Sequence, residues 1–216
     1  MNSSHLLPCA LVSALCLFVS VAGHAQITTD SSPTAEELVQ LLVGSDVQIS
    51  NVQFFGDPMQ RGSFEAQNSN LSLSSGIILA TGGITLLEGP NNQGGASVSV
   101  QGAGGYEDLE TLANVSTADA AVLQFDFVAT GDSLTFNYCF GSEEYNEYVC
   151  SNFNDVFGLF LSGPGINGPY QDNGINLAIV PESDDVPVSI HTINNGQVGL
   201  NGNAPRCNAL DPNWTE

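Results

Sequence analysis

Between Cys139 and Asp155 the chain gathers Glu143, Glu144, Asn146, Glu147, Asn152, Asn154 and Asp155, with no lysine or arginine among them. A stretch so dense in oxygen donors has the composition of a hard-cation site. Ca²⁺ takes about six to eight oxygens from carboxylates, amides and carbonyls and needs no rigid linear motif. The expected ligand set is Glu143, Glu144, Asn146, Glu147, Asn154 and Asp155, with Asp126 on the polar face of a neighbouring strand as a further donor. Neither an EF-hand nor a Gly-Asp repeat accompanies it. The competing reading is a solvated loop in which Asn154 and Asp155 bond to nearby backbone.

Other chemistries fare worse. Beyond residue 25 the sole histidine is His191, too few for zinc. A Ser/His/Asp hydrolase would have to use His191, and no Gly-x-Ser-x-Gly elbow accompanies it. Its neighbours Ser189, Ile190 and Ile193 read as ordinary strand, which makes it a structural histidine. A two-carboxylate glycosidase needs two acids about 5 to 9 Å apart, a test that Glu143, Glu144 and Glu147 pass only because any acid-rich loop passes it. Tyr145, Tyr148 and Phe153 interleave with the acids and suit carbohydrate or protein recognition by stacking and hydrogen bonding; alternatively Tyr145 and Phe153 anchor the loop.

The loop needs elements to hold it. Leu134, Phe136, Tyr138 and Phe140 alternate as in a half-buried strand, and 156–161 is apolar on both faces apart from Gly158, as in a strand covered on both sides. Residues 121–128 and 134–140 read as a hairpin around 129–132. Upstream, 34–43 has a cap, early acids and apolar Leu38, Leu41 and Leu42, which predicts a short helix stopped by Gly44. Strands are expected at 47–54, 64–66 and 76–81, a helical turn at 108–112, and strands at 175–180 and 186–193. Residues 89–105 form a Gly/Asn/Gln/Ser loop with a short strand at 98–100. The sum is an all-β fold, a jelly-roll-like β-sandwich with one or two short helices.

Residues 6–22 are apolar, and Gly23-His24-Ala25 sets small residues before Gln26, the pattern of a secretory signal peptide cleaved after Ala25. Lipidation at Cys16 is the rival, opposed by the bulky Leu15. No other stretch is long and apolar enough to span a bilayer. The expected organisation is a signal peptide at 1–25, a Thr/Ser-rich spacer at 26–33 and one domain at 34–216, incomplete at its C-terminus. Against 23 acids stand two arginines, Arg61 and Arg206, giving a formal net charge of −21. Such a chain cannot supply the cations that nucleic acid or anionic lipid demands. Among Cys139, Cys150 and Cys207, the first two are expected to form a disulfide closing the acidic loop, worth about 3 kcal/mol. Cys207 would then be free or paired beyond Glu216. The sequons at Asn70, Asn114 and Asn213 matter only in a eukaryotic host.

The central segment also resembles a known family. Phe140-Gly-Ser-Glu-Glu-Tyr-Asn-Glu-Tyr-Val149 and Phe153-Asn-Asp-Val-Phe-Gly-Leu-Phe-Leu-Ser-Gly-Pro164 are similar to the core of the choice-of-anchor L domain, Leu159 being the one mild departure. Further matches are Ser75-Gly-Ile-Ile-Leu-Ala-Thr-Gly82, Asp119-Ala-Ala-Val-Leu-Gln-Phe-Asp-Phe127 and Pro187-Val-Ser-Ile190. The resemblance runs from Pro33 to the C-terminus. It implies a module of secreted and surface proteins of Bacteroidetes-type bacteria and brings no reaction with it. The expected function is therefore non-enzymatic adhesion or recognition of carbohydrate or a surface protein. The rivals are an exported carbohydrate-active hydrolase and a structural spacer of a larger surface protein.

Overall fold

The computed structural model describes residues 26–67, 69–89, 93, 96–100 and 104–203. The expected signal peptide, Cys207 and the sequon at Asn213 lie outside the described residues, as does part of the 89–105 loop.

The first strand, β1 (Gln26–Asp30), occupies what composition suggested was a spacer. Ile27, Thr28 and Thr29 are β-branched and suit a pleated surface. β1 pairs antiparallel with β3 (Arg61–Gln67), Gln26 opposite Gln67 and Asp30 opposite Ser63. Gly62 permits this approach, since a Cβ there would lie 2.3 Å from the Asp30 carbonyl oxygen. Glu88 secures the strand further by accepting from the Thr29 N–H at 2.8 Å and its hydroxyl at 2.7 Å.

Helix α1 (Ala35–Val43) begins with a reciprocal cap. The Glu37 N–H donates to Thr34 Oγ1 at 3.2 Å and Glu37 Oε2 accepts from the Thr34 N–H at 2.8 Å, satisfying two donors that a helix start leaves open. Gly44 ends it with φ at +81°. Leu38 and Val39 are fully buried, whereas Leu41 is 62 % exposed, so the inward face is rotated from the expected Leu38/Leu41/Leu42 stripe.

Strand β2 (Gln48–Phe55) pairs antiparallel with β5 (Val122–Val128), and β4 (Ser75–Leu79) completes a sheet in the order β1-β3-β4. Gln60, at the end of a single 3-10 turn before β3, is wholly buried and ties these parts together. Its Nε2 donates to the Thr81 and Asp119 carbonyls at 3.1 and 2.7 Å, and its Oε1 accepts from the Asp57 N–H at 2.7 Å. Arg61 sits 5.3 Å from the Phe54 ring centroid and donates to the Pro33 carbonyl.

Helix α2 (Glu107–Ala113) matches the expected turn. The second half departs from expectation in its pairings. Residues 134–140 form no strand, so the expected hairpin with 121–128 is absent, and β5 has β2 as its neighbour. Residues 98–100 are likewise not a strand, although the Val98 carbonyl accepts from the Gly83 N–H at 2.9 Å. The apolar run at 156–161 divides into β6 (Val156–Phe157) and β7 (Phe160–Leu161). β7 pairs with β8 (Ile175–Asn176), and β6 pairs with β9 (Val188–Ser189). The break falls where the Asn176 side chain accepts the Leu159 N–H at 3.0 Å, replacing a ladder bond. Among the described residues the fold is all-β, built of small antiparallel sheets with two short helices.

Candidate functional site: the acidic turn

Residues 143–150 are wound as consecutive turns. The Tyr148 N–H donates to the Glu144 carbonyl at 3.0 Å, and the Val149 N–H to that of Asn146 at 3.3 Å. The winding carries Val149 and Cys150 inward to full burial, with Tyr145 packed against them. The Tyr145 hydroxyl donates to the Ile193 carbonyl, and its pKa is pushed up to about 12 by burial first and by Asp155 second. Tyr145 is therefore an anchor. Phe153 is not: it is 59 % exposed and meets Tyr148 edge to face, with centroids 5.4 Å apart.

Ser142 closes the turn at its base. Its hydroxyl donates to Asp155 Oδ2 at 2.5 Å and accepts from the Glu144 N–H at 3.0 Å. Beyond Asp155 the chain docks on the 188–193 segment. The Ile190 N–H donates to the Asp155 carbonyl at 3.2 Å and the His191 N–H to Asn154 Oδ1 at 3.3 Å. A second strap, 199–203, lies over the other side, with the N–H groups of Gly199, Asn201 and Asn203 reaching the carbonyls of Val149, Glu147 and Cys150 at 3.0, 2.8 and 2.9 Å. Sequence reasoning missed this strap. The signal was the pair of glycines: a Cβ on Gly199 or Gly202 would stand 2.1 Å from a backbone oxygen of the turn.

Among the described residues three buried side-chain atoms stay without a hydrogen-bond partner, Arg61 Nε and, at this site, Glu144 Oε2 and His191 Nε2. Burial pushes the Glu144 pKa up, and Asp155, Glu143 and Glu147 push it further. Burial pulls the His191 pKa down, against a hydrogen bond with the Phe153 backbone that raises it. The sequence suggests a satisfied structural histidine, yet Nε2 of His191 has no hydrogen-bond partner.

Of the expected ligands, Glu143, Glu144, Glu147 and Asp155 share one electrostatic neighbourhood. Asn146 and Glu147 face outward. Asn154 Oδ1 and the carbonyls of Glu144, Asn146, Glu147 and Cys150 already accept N–H donors. Asp126 is held by Asn51 Nδ2 at 2.6 Å on the β2–β5 pair. Among the described residues no group of three or more His, Cys, Asp or Glu side chains converges closely enough to hold a metal ion.

The expected Cys139–Cys150 disulfide is not formed. Cys139 is an exposed free thiol, whereas Cys150 is fully buried on the inner side of the turn and is disulfide-bonded with a partner other than Cys139. A sulfur already held in one disulfide has no valence left for a second, so Cys139 keeps its thiol.

The chain belongs to the choice-of-anchor L domain family, whose profile matches residues 26–215. No curated protein and no solved structure matches it. The family comprises surface-anchored bacterial domains and is not a known enzyme family. Among the described residues no helix is long and apolar enough to cross a membrane.

Proposed function

We propose that this chain is an exported, non-enzymatic recognition module, delivered by cleavage after Ala25, that uses the outer side of the 142–155 turn to hold a carbohydrate or a surface protein. The observation that carries the reading is the division of labour within the turn. Tyr145, Val149 and Cys150 fix it from below, while Phe153, Asn146, Asn152 and Glu147 are exposed on its outer side. A fixed turn presenting an exposed ring among amides and acids loses little entropy when a ligand settles on it. Beads coated with the full chain should adhere to bacterial surface preparations, and Phe153→Ala should abolish adhesion without lowering the melting temperature. Adhesion unchanged in that variant would refute the assignment.

Calcium is a second element of the reading, supported by the uncompensated Glu144 oxygen among three neighbouring acids. Since no three-carboxylate group is formed, an ion would depend on the outward Asn146 and Glu147 as well. The hydrolase alternative has its own test: hydrolysis of a glycan that disappears in both Glu143→Gln and Glu144→Gln, with the fold retained, would replace the recognition reading.

A further inference from the structure

A second surface shares no residue with the acidic turn. Tyr106 is the cap residue of α2, and Tyr170 precedes a 3-10 turn at Gln171–Asn173. Asp108 joins them. It is only 6 % exposed, and its Oδ1 accepts the Gln171 N–H at 2.9 Å. That bond brings Tyr170 beside the helix start that carries Tyr106. Each ring packs on a phenylalanine, Tyr106 on Phe55 at 5.9 Å and Tyr170 on Phe160 at 4.6 Å between centroids. Both rings remain half-buried, and among the described residues neither hydroxyl has a hydrogen-bond partner.

Asp172, in the turn that follows Tyr170, and Asp185 are exposed. After burial itself, Asp108 and Asp172 push the Tyr106 pKa up, and Asp108 and Asp185 do the same to Tyr170. The one arginine among the described residues, Arg61, is committed to Phe54 and the Pro33 carbonyl.

We propose that Tyr106 and Tyr170, bridged by Asp108, form a binding platform for a neutral glycan. Phenol rings stack on the apolar faces of pyranose units, as aromatic side chains do wherever one end of a contact is apolar and the other wet. The two free hydroxyls and the carboxylates of Asp172 and Asp185 match the alternating donors and acceptors of sugar hydroxyls. The phenylalanine behind each ring and the Asp108–Gln171 bond fix the platform in advance, so little order is lost on binding. Anionic glycans are repelled by Asp172 and Asp185 and by a chain of net charge −21. An organic cation would also be attracted to rings and carboxylates. It is the weaker fit because the buried carboxylate already accepts a hydrogen bond and each ring is partly covered by a phenylalanine.

The proposal rests on the chain being a recognition module, not on the acidic turn being its surface. The test is affinity electrophoresis of the full chain in native gels containing β-glucan, xylan or mannan, with alginate as the anionic control and spermidine as a competitor. At least one neutral polysaccharide should retard the protein, alginate should not, and spermidine should not release it. Tyr106→Ala and Tyr170→Ala should each weaken retention about tenfold, the size typical of an aromatic anchor, while Phe153→Ala should bind like the parent. Should an alanine variant fail to fold, Asp172→Asn at an exposed position should weaken retention at unchanged melting temperature. No retention by any neutral polysaccharide, displacement by spermidine, or retention insensitive to all three platform substitutions would overturn the proposal. Retention lost in Phe153→Ala alone would assign glycan binding to the turn and overturn the platform.

Discussion

The Ser142 hydroxyl donates to Asp155 Oδ2 at 2.5 Å while accepting the Glu144 N–H at 3.0 Å. One small side chain thus links the two ends of the acidic turn and keeps one carboxylate satisfied beside another that is not.

Removing that link should loosen the turn without unfolding the domain. Ser142→Ala deletes a hydrogen bond to a charged group and leaves the Glu144 N–H without its acceptor, a change of about 1.5 to 3 kcal/mol. Hydrogen exchange should accelerate at Glu144 and Tyr148 while the Gln60-tied sheets keep their protection. Unchanged exchange in the turn would show that Ser142 closes nothing.

The pH dependence follows from Glu144 and His191. The folded-state pKa of Glu144 is raised above its ordinary 4.5, so its contribution to stability is full below that value and is lost as pH rises through the folded pKa. The folded-state pKa of His191 is lowered below its ordinary 6.5, so its contribution is present above 6.5 and declines as pH falls below it. Glu144→Gln should therefore raise the melting temperature at neutral pH and make no difference below pH 4.5. Melting curves across that range provide the check, and a gain that persists in acid would remove ionisation as the cause.

Calcium should stabilise more than magnesium if the turn holds an ion, because magnesium keeps its waters and demands octahedral geometry. With a dissociation constant of about 10⁻⁴ to 10⁻³ M, millimolar calcium should add on the order of 0.5 to 1.5 kcal/mol, a rise of a few degrees in melting temperature. Glu143→Gln and Asp155→Asn should abolish the difference. Equal responses to the two ions, or to sodium chloride at matched ionic strength, would reduce the effect to screening.

Cys139 should react with a maleimide in native, unreduced protein, and Cys150 should not. Cys139→Ser should shift stability by less than about 0.5 kcal/mol, as surface substitutions do. Loss of a loop-closing disulfide would instead cost about 3 kcal/mol. Peptide mapping that recovered a Cys139–Cys150 cross-link would decide for the disulfide.

Local signals were legible and long-range ones were not. The Thr34–Glu37 cap and Gly44 lie within one helix, so α1 could be read directly, and the alternation of β2 and β5 marked both strands. Their pairing could not be read. β5 has an apolar alternating run just downstream, the usual sign of a hairpin, yet its neighbour is β2, many residues earlier. The 156–161 run misled in another way: hydrophobicity marks burial but cannot show that the Asn176 side chain interrupts the ladder at Leu159. Composition located the acidic turn correctly. It could not reveal that the carbonyls of Glu147, Val149, Cys150 and Asp155 already accept N–H donors, because those donors come from 188–193 and 199–203.

Chain order gives the 199–203 strap a kinetic meaning. Its glycines lie tens of residues beyond the turn whose carbonyls they cover, so the turn cannot be capped until nearly all of the described chain has been made. A chain crossing a membrane from its N-terminus would assemble β1 to β5 first and carry an uncovered acidic turn until the strap arrived. Arrest of translocation before residue 199 should therefore leave a protease-sensitive bond near Glu147, downstream of a protected β1-to-β5 region.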